Sequence, residues 1–219
     1  MCEIMNESFK MVFTEDDFTE PNRTLDCQGL QEIAVHKEDI GILLDKLEVR
    51  KAMGPDGVLG WVLKECKEQL VDPIWEIIKS SINEEKVPLE WKRANLILIL
   101  KGGKATEPLN YRPVSLTSVL WKLSEIIIKE KWIKFLEEEQ VISNRQFEFT
   151  TWQSCVSNLL SFYSRVIAGL EDRDGWVDIV YLDIKKAFDK VPHGRLLWKL
   201  ENIGGLRGNL LEWTRLFEG

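Results

Sequence analysis

Apolar residues recur at helical spacing over most of the chain and form nearly continuous runs at two places. Ile40, Leu43, Leu44 and Leu47 fall three or four apart and predict a helix across 38–50. Trp61, Leu63, Cys66 and Leu70 predict a second. Asp72-Pro73 reads as an N-cap followed by proline at the first helical position. It predicts the start of a third helix, with Ile74, Ile77, Ile78 and Ile82 on its apolar face and Pro88 as its stop. Val119, Leu123, Ile126, Ile127, Ile133 and Leu136 give a long helix across 118–138, with Lys129, Lys131 and Lys134 on its other sides. Val156, Leu159, Leu160, Tyr163, Ile167 and Leu170 give an amphipathic helix across 154–170. Leu196, Leu197, Leu200 and Ile203 mark another, broken by Gly204-Gly205. Leu210, Leu211, Trp213 and Phe217 mark the last.

The two apolar runs predict strands. Ala94 to Leu100 is nearly continuous, the pattern of a buried strand. Lys101-Gly102-Gly103-Lys104 then makes a basic turn, and Tyr111 to Leu116 returns as its antiparallel partner. Cations at both ends suit a hairpin that contacts phosphate; a plain surface hairpin would read the same. Val177 to Leu182, β-branched and aromatic, predicts a central buried strand with Asp183 at its C-terminal end, facing a groove. A carboxylate at a strand exit can hold Mg²⁺, which takes one or two carboxylates plus water and phosphate. It can equally cap the following helix, with Lys185, Lys186 and Lys190 solvated. Between these elements, Gly54-Pro55-Asp56-Gly57 is a turn, and 141–155 is irregular. Residues 1–37 are an acidic, loosely structured lead-in in which Phe9, Val12, Phe13 and Phe18 could form a short helix.

Composition adds a core and a charge map. The chain has 219 residues and is 44% hydrophobic, enough for one large domain. A net charge of −7 argues against nucleic-acid binding taken whole. Within 91–134, however, nine basic residues face three acidic ones. That segment could track a phosphate backbone or form an ordinary solvated helix face. Cys2, Cys27, Cys66 and Cys155 make no C-x-x-C pair, and two histidines do not complete a zinc site. Reduced thiols, no secretory signal and no long apolar run predict an intracellular protein, nuclear or cytoplasmic, with no membrane partner.

Tyr181 to His193 reads YLDIKKAFDKVPH and resembles the first catalytic palm motif of reverse transcriptases from non-LTR (LINE-type) retrotransposons, roughly Y-L-D-F-S-K-A-F-D-x-V-x-H. KAMGPDG at 51–57, LNYRPVSLTS at 109–118 and Q-x-x-F-x-x-x-x-S-C at 146–155 resemble further motifs of that family in the same order. The likeness runs from about residue 38 to Gly219 and is nearest the jockey and chicken-repeat branch. It implies an α+β fold: a right-hand polymerase fingers–palm fragment, mostly helical around a small antiparallel sheet, over 38–219. It implies RNA-directed DNA synthesis on an RNA template with a DNA primer, a nucleotide triphosphate and Mg²⁺. By the same resemblance Asp183 is the first metal-binding aspartate and the backbone of Ile184 accompanies it. Phe188 is the aromatic under the sugar, and Lys101 and Arg112 are fingers cations on the triphosphate. Asp189 orders the turn, and His193 is assigned no role.

The family's second palm motif, F-A-D-D, is expected beyond Gly219, since no Asp-Asp pair follows Asp189. Within the matched stretch, Glu148 and Trp152 stand at glycine or basic positions of the family pattern, Leu98 at a proline, Gly60-Trp61 at Pro-Arg and Lys185 at a serine. Together with nine tryptophans, these departures resemble a copy drifting from function. The alternative expectation is therefore a catalytically dead, element-derived remnant that binds nucleic acid or protein.

Overall fold

The computed structural model describes residues 29–150, 153–171, 175–184, 187–188 and 190–217. Its centre is a helical cluster. Helix α1 (Lys37–Asp45) packs on α3 (Lys67–Asn83), with the short α2 (Gly60–Glu65) between them in sequence. Helix α4 (Val119–Glu138) lies against α1, and α7 (Gly208–Arg215) against α3. Ile40 and Leu44 of α1, Ile78 of α3, Leu123 and Ile127 of α4 and Leu210 of α7 are the deepest apolar side chains. Lys131 of α4 pairs with Asp39 of α1 at 3.2 Å on the flank of this contact.

Tryptophans tie the loops to the helices. Each indole has one N–H that must find an acceptor when buried. Trp75 donates to the Val35 carbonyl at 2.8 Å, Trp132 to the Gly204 carbonyl at 2.8 Å and Trp213 to Ser81 Oγ at 2.9 Å. Trp121 sits among Trp91, Trp213 and Phe217, with ring centroids 5.6, 5.6 and 4.5 Å away. The high tryptophan count thus has a packing role at these positions. The described part of the lead-in is also held: Leu30 N–H donates to the Gly205 carbonyl at 2.7 Å, and Arg207 N–H to the Leu30 carbonyl at 3.0 Å.

The expected antiparallel hairpin forms. β1 (Ala94–Leu100) pairs antiparallel with β2 (Tyr111–Thr117), Ile97 opposite Val114 and Leu98 opposite Pro113. Antiparallel ladders alternate hydrogen-bonded and open pairs. Counted from the Lys101 N–H to Asn110 carbonyl bond at 2.7 Å, the Leu98·Pro113 pair is an open one. The missing proline N–H therefore costs the ladder nothing. β1 is not buried, contrary to its apolar run. Leu96, Ile97, Ile99 and Leu100 are all exposed on a sheet that has only two strands among the described residues.

Three further expectations are corrected. The third helix does not begin at Asp72-Pro73. It runs from Lys67, and Pro73 lies inside it. The break is at Cys66, and Asp72 is instead drawn to Lys37 at 2.7 Å. Proline early in a helix costs one hydrogen bond to the carbonyl four residues back. The following face of Ile74, Ile78, Ser81 and Ile82 is buried at i, i+4, i+7 and i+8. Ile77 lies off that stripe and is 43% exposed. Helix α5 (Cys155–Leu170) forms with a Ser154/Ser157 capping box, yet its whole apolar stripe is exposed.

The third correction concerns Val177–Leu182. These residues form no strand, and Leu182 is 89% exposed. Local propensity supplies an extended preference, but a strand is stable only when its N–H and C=O groups find a ladder. The described sheet holds only β1 and β2, and Val177–Leu182 pairs with neither of them.

Candidate functional site

Two of the four motifs meet at one junction. In the 51–57 stretch, Gly57 N–H reaches the Gly54 carbonyl at 3.3 Å, and Val58 N–H donates to Asp56 Oδ1 at 3.2 Å. The turn rests on the end of β2: a Cβ at Gly54 would lie 2.6 Å from Ser118 N and 2.7 Å from Thr117 C. Only glycine permits so close an approach of backbone to backbone. Ser118, fully buried, caps α4 by accepting the Trp121 N–H. Gly54→Ala should therefore lower stability by about 1–3 kcal/mol, the usual cost of overpacking. Urea unfolding followed by circular dichroism checks this; an unchanged midpoint would mean that the turn slides off the junction freely.

The loop of the hairpin is braced by its own polar groups. Asn110 Nδ2 donates to the Lys104 carbonyl at 3.0 Å and to Glu107 Oε2 at 3.2 Å, and Tyr111 hydroxyl to the Ala105 carbonyl at 3.0 Å. Arg112 stands opposite Ile99, two residues before Lys101. Directly opposed and alternate residues share a face of a ribbon, so Lys101 and Arg112 belong to one face at the loop end. Both are exposed.

The third motif occupies the loop between α4 and α5. Gln146 Nε2 donates to the Glu148 carbonyl at 3.2 Å, and Thr150 Oγ1 to the Gln146 carbonyl at 3.1 Å. Cys155 Sγ lies 3.6 Å from Glu148 Oε1 as its donor. Glu148 has an ordinary backbone, but the next residue, Phe149, has φ of 59°. Left-handed backbone at a bulky aromatic is strained, and it falls beside the position where the family pattern carries glycine. Gln140, Ser143, Asn144, Gln146 and Gln153 line a polar cavity of about 620 Å³ here.

The fourth motif, the focus of the sequence reading, is the least built. Asp183 is exposed and makes no hydrogen bond or ion pair with another described residue. Ile184 is exposed, and Phe188 is 81% exposed, with nothing stacked on it. Lys185, Lys186 and Asp189 lie outside the described residues. Among the described residues no group of three His, Cys, Asp or Glu could hold a metal ion. Asp183 offers one of the one or two carboxylates that Mg²⁺ takes, the rest of its shell being water and phosphate. No described contact joins Asp183 to Lys101 or Arg112.

The probable RNA-directed DNA polymerase from transposon BS of Drosophila melanogaster is 28% identical over 170 residues, covering 77% of this chain and 19% of that protein. The RNA-directed DNA polymerase from mobile element jockey of the same fly is 29% identical over 171 residues, 78% of this chain and 19% of that protein. The chain is homologous to the RNA-directed DNA polymerases of non-LTR retrotransposons. The Pol polyprotein of type-1 retrotransposable element R1 from Bradysia coprophila extends the set, at 25% identity over 192 residues, 83% of this chain and 18% of that protein. The chain thus spans about a fifth of the length of the curated relatives it matches. No family model matches it. Among the described residues no helix is long and apolar enough to cross a membrane.

Sequence reasoning passed over two residues that the fold brings together. Lys46, at the end of α1, and Lys122, in the first turn of α4, line one cavity. Each was an ordinary surface lysine in the sequence. Only the α1–α4 contact gives them a shared wall.

Proposed function

We propose that this chain is part of the fingers–palm region of a LINE-type reverse transcriptase and that its contribution is to bind the nucleic-acid backbone. The single observation that carries this is the hairpin. It holds the family's basic pair, Lys101 and Arg112, on one face of a braced ribbon inside the most basic stretch of an acidic chain. Arginine can grip a phosphate with two parallel hydrogen bonds, whereas lysine acts as a point charge. The ligands are the RNA template and DNA primer of the family reaction, with a nucleotide triphosphate as the substrate the same cations would meet. Asp183 would supply one ligand to Mg²⁺. Among the described residues no group of three His, Cys, Asp or Glu completes that site.

Binding should show the salt dependence of counterion release. Single-stranded nucleic acid loses about 0.7 of a log-log slope unit per phosphate contact removed. Lys101→Gln with Arg112→Gln should therefore flatten the slope of affinity against salt by about 1.4. Fluorescence anisotropy with a labelled oligonucleotide measures it. A slope identical in the wild type and the double variant would remove the hairpin from the interface. The second reading, a remnant that binds without catalysing, is favoured by the exposed and unpaired Asp183 and gives the same binding result. Product in a primer-extension assay would rule out this second reading.

A further inference from the structure

We infer that the aromatic cavity between α4, α6 (His193–Asn202) and α7 binds a small, flat, uncharged aromatic molecule that carries one hydrogen-bond donor. The cavity measures about 730 Å³, a size usual for small-molecule sites. Trp121, Trp132, Trp213 and Phe217 wall it, together with Leu200 and Leu206. Its rings are pinned from behind, so the wall is held open. Trp132 and Trp213 are fixed by their hydrogen bonds to the Gly204 carbonyl and to Ser81 Oγ. Trp132 also lies so near Gly204 that a Cβ there would meet its Cζ2 at 2.9 Å. Trp121 is wedged among Trp91, Trp213 and Phe217.

The polar inventory of the cavity selects the ligand. The Trp132 and Trp213 N–H groups are committed, and the Thr214 hydroxyl on the wall donates to the Leu210 carbonyl at 2.8 Å. What the wall offers is ring faces and hydrocarbon, which suit a flat aromatic body. Most lining side chains stand on α4, α6 and α7, where backbone groups bond within the helix, so an extended peptide would find few main-chain partners there. On the edge, Glu125 stands between Lys122, three residues before it, and Lys129, four after it. The Glu125 side chain reaches solvent, yet burial pushes its carboxyl above the usual carboxylate range; a hydrogen bond from the Trp121 indole and then the Lys122 charge draw it back. Lys122 is therefore matched to Glu125. A carboxyl group still has acceptor capacity beyond these two partners. An anionic ligand would be set against Glu125, and a cationic one against Lys122 and Lys129. A pure hydrocarbon would cover the carboxyl and give it no donor in return. A neutral aromatic with one hydroxyl or N–H covers the wall and supplies that donor. This assignment draws on no part of the nucleic-acid reading.

The experiment is calorimetric titration of the full chain at neutral pH with a set of probes of one shape. They are 2-naphthol, its methyl ether 2-methoxynaphthalene, the anion 2-naphthoate and the cation 1-methylquinolinium. The expected order places 2-naphthol about tenfold tighter than its ether, the usual value of one hydrogen bond to a carboxyl group, and tighter than either ion. Two variants locate the site, with thermal unfolding to confirm that each folds. Ile126 lines the cavity and is 37% exposed, so Ile126→Trp can fill the space without entering the core, and it should abolish binding of all the probes. Glu125→Leu should erase the preference for 2-naphthol and leave the ether bound as before. No binding of 2-naphthol by the wild type, or binding unchanged in Ile126→Trp, overturns the site. An ether that binds as tightly as 2-naphthol, a preference that survives Glu125→Leu, or an ion that binds tighter than 2-naphthol overturns the ligand class. N-acetyltryptophanamide and thymidine complete the set. If the first binds tighter than 2-naphthol, the occupant is a side chain of a partner protein and the proposal fails; if thymidine does, the cavity belongs to nucleic-acid binding and the proposal fails equally.

Discussion

Trp213→Ala should lower the stability of the chain by about 3–5 kcal/mol, the usual cost of truncating a buried tryptophan. Trp213 is 4% exposed and joins α7 to α3 and α4. Its ring lies 5.6 Å from Trp121 of α4 and 5.0 Å from Phe217. Its indole N–H donates to Ser81 Oγ of α3 at 2.9 Å, and Ser81 Oγ donates on to the Lys86 carbonyl at 2.6 Å. Truncation therefore opens a cavity at the centre of an aromatic cluster and leaves the Ser81 oxygen short of a donor in a buried place. A domain of this size has about 5–15 kcal/mol to lose. Loss of this size would bring the midpoint of urea unfolding down by about a fifth or more of its value. Trp213→Phe separates the causes. It keeps most of the ring contact and removes the N–H, so its cost should be about 1 kcal/mol. If both variants unfold at the wild-type midpoint, α7 is not part of the core.

The helices were legible because each carries its own evidence. The stripe of Ile40 and Leu44, or of Leu123 and Ile127, needs no knowledge of its partner to be seen, and all four residues are buried. The hairpin was legible for a related reason: two extended runs flank a glycine pair, and Gly102 and Gly103 both take positive φ there. What failed is what depends on a second element. The run from Ala94 to Leu100 specifies a strand but not whether a layer covers it. The cap signal at Asp72-Pro73 was real chemistry read in the wrong place, since Asp72 serves an ion pair to Lys37 instead of a helix end. Val177–Leu182 has strand composition without a ladder. Its motif identity came from resemblance, and resemblance does not supply the neighbouring strand. The α1–α4 cavity was invisible for the opposite reason. Nothing in the order of residues announces that Lys46 and Lys122 share a wall; the packing of two helices decides it.

The chain by itself should give no primer extension on an RNA template. Template-directed synthesis places a primer hydroxyl in line with the α-phosphate of a nucleotide, and metal ions held by carboxylates stabilise the entering and leaving oxygens. The ligand set must be preorganised to do this. Here Asp183 is one exposed carboxylate on a stretch with no sheet beneath it. Phe188, which by resemblance should lie against the sugar, is 81% exposed and positions nothing. Mg²⁺ gives up its waters reluctantly, so a single flexible ligand leaves it weakly held and poorly placed. Removing one preorganised electrostatic group typically costs on the order of 10²–10³-fold in rate. Here both the carboxylate and the aromatic lack a support. The expected extension rate is therefore below detection, while salt-sensitive binding through the hairpin persists. The assay is run with Mg²⁺ and with Mn²⁺, and Asp183→Ala is its control. Product made by the native chain and abolished in Asp183→Ala would mean that Val177–Leu182 finds a sheet when primer and template are bound, and that the stretch is a working palm after all.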